Sequence, residues 1–214
     1  MAENERNRAL EVIRLLRREY PPAKIALNYS NPLELLVATI LSAQCTDERV
    51  NKITDTLFEK YQTAKDYADA DLEGLEKDIK PAGFYHAKAD HIKNASSMLI
   101  EEFNSEVPRN MSDLILLPGV ARKTANIVLS NAYGIVEGIA VDTHVRRLAQ
   151  RLGLTKNKDP EKIEQDLMKI VPKKEWYALT YILIDHGRKI CKAKKTQCVK
   201  CALNKICPSA FIFD

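Results

Sequence analysis

The stretch SDLILLPGVARKTANIVLSNAYG, Ser112 to Gly134, runs a short apolar segment into Pro118-Gly119-Val120 and straight on into a second helical pattern. Ser112 reads as the N-cap of a first helix ending at Pro118-Gly119. The second helix starts at once and reaches about Asn131. Glycine lets the backbone reverse tightly, so the second helix points its unpaired N–H groups outward. There they can meet an anion such as a DNA phosphate without reading sequence. A Pro-Gly turn alone is more often a plain helix link. Lys123 adds the distinguishing feature. It sits in the first turn of the second helix, at the positive end of the macrodipole and beside Arg122, and both disfavour its ammonium form. A lowered pKa is the expectation, and it is what an amine nucleophile needs.

Outward from this hairpin the pattern is helical, with no convincing alternating strand. Val12, Leu15 and Leu16 stripe a first helix that ends before Pro21, and a second spans about Pro32 to Ser42. Asp47 reads as the cap of a third, with Val50, Ile53, Leu57 and Tyr61 on one face. Shorter helices follow at about 70–79 and 86–103, broken at Pro81-Ala82-Gly83. Asp142 caps a helix that buries Val145, Leu148, Ala149 and Leu152 and stops at Gly153, and two more run at about 160–171 and 174–186. About ten helices make an all-α chain. The turn around Gly134–Gly138 is the best boundary candidate.

The totals exclude several classes. The 214 residues are 45% hydrophobic and 29% charged, ordinary for a soluble globular protein. No apolar run is long enough for a bilayer, and the charged start MAENERNRALEVIRLLRREY is unlike a signal peptide, so an intracellular protein is expected, in cytoplasm or nucleoid. Net charge is only +4, but Gly187 to Cys207 holds seven basic residues and no acid. Such a patch fits a polyanion, and equally well a solvated tail or an offset to thiolate charge.

Four cysteines share that segment: Cys191, Cys198, Cys201 and Cys207, spaced C-x6-C-x2-C-x5-C. In an intracellular chain, clustered cysteines are more often metal ligands than disulfides, and the odd Cys45 argues the same way. Tetrahedral zinc usually pairs two short knuckles, whereas here one C-x2-C is flanked by wider loops. Four cysteines suit a [4Fe–4S] cluster, although the spacing is neither ferredoxin pattern. Spacing alone leaves both metals open, with a modest lean to iron–sulfur. The segment 187–214 has few large apolar residues and is expected to need its metal to fold.

Asp142, in GIAVDTHVRRLAQRLGL, is by itself an ordinary N-cap. An ionised carboxylate facing a bound sugar can also stabilise an oxocarbenium-like transition state or assist proton transfer. LPGVARKTA, VDTHVRRLAQRLGL and the cysteine loop together resemble the helix-hairpin-helix DNA glycosylases, and among them the endonuclease III family. ILSAQCTD and GFYHAKA resemble further segments of that family, so the likeness covers nearly the whole chain.

The resemblance implies two helical domains flanking a DNA-binding cleft. One is a six-helix barrel domain with the hairpin, at 25–135; the other is a four-helix cluster domain, from 1–24 and 136–214. It implies base excision on double-stranded DNA, with the damaged nucleotide flipped out. Lys123 would attack the deoxyribose C1′ and then cleave the strand by β-elimination through a Schiff base, with Asp142 activating it. Gln44 would fill the gap left by the flipped base, and Phe84 stands where a second wedge, commonly leucine, is found. An aromatic ring there stacks equally well. Gly119, Val120, Arg122, His144, Lys192, Lys194 and Lys195 would meet the backbone. The four cysteines would carry a [4Fe–4S] cluster with a folding role. Oxidised or ring-saturated pyrimidines and abasic sites are the implied substrates, and the enzyme is expected to be a monomer off the membrane. Retention of Lys123 speaks against the monofunctional mismatch and adenine relatives, which keep the carboxylate and replace the lysine. A non-catalytic DNA-binding or electron-transfer protein is disfavoured by the presence of both Lys123 and Asp142.

Overall fold

The computed structural model of the chain describes residues 2–21 and 24–213. Among them are eleven α-helices, three short 3-10 segments and no strand. The chain divides into two compact units, Ala26–Glu137 and the combination of Met1–Ile25 with Gly138–Asp214.

The continuous unit is built round α2 (Pro32–Leu41). Asn31 caps it by accepting the Glu34 N–H at 2.9 Å, and Pro32 supplies a preset first turn. Every residue from Leu35 to Leu41 is buried, as in a helix covered on all sides. It packs against α3 (Asp47–Lys60), α6 (Tyr85–Glu102) and α8 (Arg122–Ala132). α4 (Ala64–Asp69) and α5 (Leu72–Ile79) lie against α6, and α7 (Met111–Leu114) against α8.

Several sequence expectations shift here, each for a local reason. Thr46, not Asp47, caps α3: its hydroxyl takes the Arg49 N–H at 3.4 Å, which leaves Asp47 as a first-turn acid favoured by the dipole. Asn110, not Ser112, caps α7, accepting the Asp113 N–H at 2.9 Å, while the Ser112 hydroxyl donates to Asn110 at 2.7 Å. That helix also ends at Leu114, four residues short of Pro118. α4, unforeseen, is six residues held by a Thr63/Asp66 capping box. A helix so short leaves no periodic stripe.

The other unit joins α1 (Ala2–Glu19) to α9 (Thr143–Arg151), α10 (Pro160–Ile170) and α11 (Trp176–Lys189). Val12, Ile13 and Leu16 of α1 share one core with Val145, Leu148, Ile163, Leu167, Leu179 and Leu183. Leu15 is only partly buried against it. After α11 the chain has a single 3-10 turn, Cys198–Lys200, and is tied to the core through buried Leu203. Among the described residues no helix is long and apolar enough to cross a membrane.

Since Leu16 is fully buried, Leu16→Ala should cost about 2–5 kcal/mol of stability. A guanidinium titration should give a lower midpoint with an unchanged slope.

Candidate functional site

In the continuous unit the decisive turn is at Gly119. Its φ is +78°, a region other residues reach with strain, and a Cβ there would stand 2.8 Å from the His91 Cβ and 2.9 Å from its Nδ1. The Val120 N–H closes the turn onto Leu117 O at 3.0 Å, and both side chains are buried. That bond takes the Val120 N–H and burial removes its side chain, so neither is open to a phosphate. Ala121 then precedes α8 in extended backbone and gives the first turn no side-chain acceptor. Lys123 is the second residue of that helix and is half-buried, as is Arg122. Thr124, Ala125, Val128 and Leu129 hold the helix by its buried face.

Gln44 and Phe84 lie on two loops of the same unit. Both are exposed, and both sit in left-handed backbone, φ +54° and +50°. Phe84 keeps 66% of its surface exposed. Cys45 beside Gln44 is a free, half-buried thiol.

In the other unit Asp142 caps α9. One carboxylate oxygen takes the Val145 N–H at 2.7 Å. His144, half-buried, has Nδ1 3.1 Å from the Arg147 guanidinium, and a Cβ on Gly187 would come within 2.8 Å of that nitrogen. Burial lowers its pKa, and Arg147 and Arg188 push the same way against the opposing charge of Asp142. The ring is therefore neutral at pH 7.

All four clustered cysteines line one hollow, together with Leu148, Leu152, His186 and Leu203, and none is in a disulfide. Burial pushes the Cys201 thiol up to about 11, and the other three cysteines add to it. Its sulfur lies 3.3 Å from Nε2 of His186, whose Nδ1 is 3.2 Å from the Tyr20 hydroxyl. The Arg151 guanidinium donates to the Cys191 sulfur at 3.2 Å. Sulfurs that raise one another's pKa, with a cation already on one of them, are a donor set that a positive metal group would relieve. Among the described residues, no three His, Cys, Asp or Glu side chains are spaced to hold a single metal ion.

Residues 37–173 match the HhH-GPD superfamily of base excision DNA repair proteins. Over 207 residues, 97% of this chain and 94% of the relative, the sequence is 51% identical to Endonuclease III of Synechocystis sp.. The chain belongs to the endonuclease III family. Two solved structures match it at 45% identity with a TM-score of 0.92, over 96% of both chains in each case. One is a non-covalent Endonuclease III–DNA complex, and the other is a trapped Endonuclease III–DNA covalent intermediate, an estranged-adenine complex.

For this endonuclease III family chain, sequence reasoning missed the residues that hold the cysteine loop. Arg147 donates to Gly187 O at 3.0 Å and to Cys191 O at 3.0 and 3.2 Å. Arg151, one helical turn on, donates to Lys192 O at 2.9 Å and Ala193 O at 3.0 Å. The exposed Lys192, Lys194 and Lys195 thus project from a loop fixed at its base. The i, i+4 spacing of the two arginines was the available signal.

Gly119→Ala should strain the hairpin by about 1–3 kcal/mol. Thermal melts should show the loss, and titration with undamaged duplex should show weaker binding, because the start of α8 moves with the turn.

Proposed function

We propose that this protein is a bifunctional DNA N-glycosylase and abasic-site lyase that removes oxidised or ring-saturated pyrimidines from double-stranded DNA. The observation that carries the reading is the pair of groups this family member presents. One is an amine in the uncapped first turn of α8 behind the Gly119 turn; the other is a carboxylate fixed at the N-terminus of α9.

The lysine lone pair forms a bond to C1′ of the everted nucleotide as the glycosidic bond breaks and its electrons leave with the base. Asp142 accepts the proton that the amine sheds and stabilises positive charge on the sugar. Opening of the ring gives an iminium between Lys123 and C1′. Loss of a C2′ proton then expels the 3′ phosphate, breaking the C3′–O bond, and water later frees the lysine. Gln44 and Phe84 enter the duplex at the vacated position. The amides at the start of α8 hold a phosphate, and Lys192, Lys194 and Lys195 add positive charge along the backbone. His144, neutral and engaged with Arg147, contributes by packing the start of α9.

Cys191, Cys198, Cys201 and Cys207 would hold a [4Fe–4S] cluster, which supplies a covalent cross-link for a segment poor in apolar side chains and, in principle, one electron. Excision and elimination transfer no electron, so we assign the four cysteines a folding role. The protein acts as a monomer on DNA inside the cell.

Borohydride should trap the wild type covalently on a lesion-bearing duplex, and Lys123→Ala should give no adduct, with nicking down on the order of 10^4 or more. Asp142→Asn should slow base release by roughly 10^2 to 10^4 while leaving duplex affinity largely intact. Wild type without any adduct would refute the lyase assignment. Purified protein should be brown and carry about four irons per chain, and Cys201→Ser should be depleted of iron and melt lower.

A further inference from the structure

Lys88 has no part in the chemistry above, yet it is the only lysine of the described residues that is buried, with 4% of its surface exposed. An ammonium leaves water only when bound elsewhere. Its Nζ donates to two backbone carbonyls, Leu41 O at 2.8 Å and Ala82 O at 2.9 Å. Leu41 is the last residue of α2, where carbonyls are unpaired and the dipole is negative. Ala82 ends the 3-10 segment Lys80–Ala82.

The two carbonyls are where the chain leaves for the two exposed tips. Gln44 lies three residues beyond Leu41, and Phe84 two beyond Ala82. The backbone of Lys88 itself donates to Phe84 O at 3.1 Å. Both tips hold left-handed backbone that a non-glycine residue keeps only when its surroundings enforce it. One ammonium reaches the base of each loop.

We propose that Lys88 is the positioning residue of the two intercalating tips, fixing Gln44 and Phe84 together for insertion into the duplex; this rests on the glycosylase reading above. It touches neither the sugar nor the base. Replacing its ammonium by an apolar group leaves two carbonyls unpaired and frees the tips to move separately. Burial lowers the Lys88 pKa while the nearby Cys45 opposes the shift, and amine and ammonium alike carry the two N–H groups these carbonyls take.

The test uses Lys88→Met in the full-length protein, and Lys88→Gln, which keeps an N–H donor group on a shorter side chain, in case the first does not fold. Single-turnover base release is measured with 2-aminopurine beside the lesion to report eversion. Base release and the eversion signal should fall by about tenfold to a hundredfold, with affinity for undamaged duplex changed less than about twofold. In a Gln44→Ala/Phe84→Ala background the same Lys88 substitution should change the rate by less than about twofold, because the residues it acts through are gone. An equal loss in both backgrounds, or a lower melting temperature with unchanged eversion, overturns the proposal and leaves Lys88 as a stability contact. If the wild type itself neither releases base nor forms a borohydride adduct, the glycosylase reading falls and takes this role with it. If the wild type does both and Lys88→Met matches it, only the role of Lys88 falls.

Discussion

Cations bound to backbone carbonyls set the loops of this chain. Lys88 joins the ends of α2 and the 3-10 segment; Lys93 donates to Ala68 O and Ala70 O; Arg147 and Arg151 collect carbonyls from Gly187 to Ala193. A charge-assisted bond to a carbonyl is stronger than a neutral one and needs no carboxylate partner. That choice matters for a protein that meets DNA. A loop ordered by a salt bridge loses its positive charge to the pairing, whereas a loop ordered through carbonyls keeps it. The segment from Gly187 to Cys207 retains seven basic residues and no acid while its first turns are pinned by α9.

α9 thereby serves two sites. Its N-terminus is capped by Asp142, the carboxylate assigned to the sugar, and its last two turns carry the arginines on the cysteine loop. The Arg151 guanidinium also lies 4.2 Å over the Phe213 ring, so the end of the chain folds back on the same group. Rotation of α9 about its axis would move the carboxylate and the cysteine loop together. The shared core of α9, α10, α11 and α1 opposes that rotation.

The fold class was legible because the long helices carry wide apolar stripes and strong stops, as at Gly153 after α9. The turn at Gly119, the cap at Asp142 and the gathering of the four cysteines were legible because each combines a residue type with a fixed spacing. Cap positions were less so. Thr46-Asp47 and Asn110/Ser112 each offer two competent caps within two residues, and the outcome depends on which backbone is extended. Lys88, Arg147 and Arg151 were illegible for a deeper reason. Their partners are main-chain carbonyls, which every residue carries, so the i, i+4 spacing of Arg147 and Arg151 marks a shared helix face but not the contact. His186 was illegible for another reason: its side-chain partners Tyr20 and Cys201 lie 166 and 15 residues away in the sequence.

Left-handed backbone at Gln44 and Phe84 would be relieved by glycine, which adopts it without steric cost. Glycine would also remove the side chain proposed to enter the duplex, and would let the loop sample many conformations. A backbone held in that shape in advance has already given up that freedom, so less ordering is left when DNA arrives. Stability is therefore spent twice in these loops, once on strained φ angles and once on the desolvated ammonium of Lys88. Both terms oppose folding, and both act on a rigid presentation of two exposed side chains. In that unit α2 is buried from Leu35 to Leu41, and this apolar burial opposes both terms.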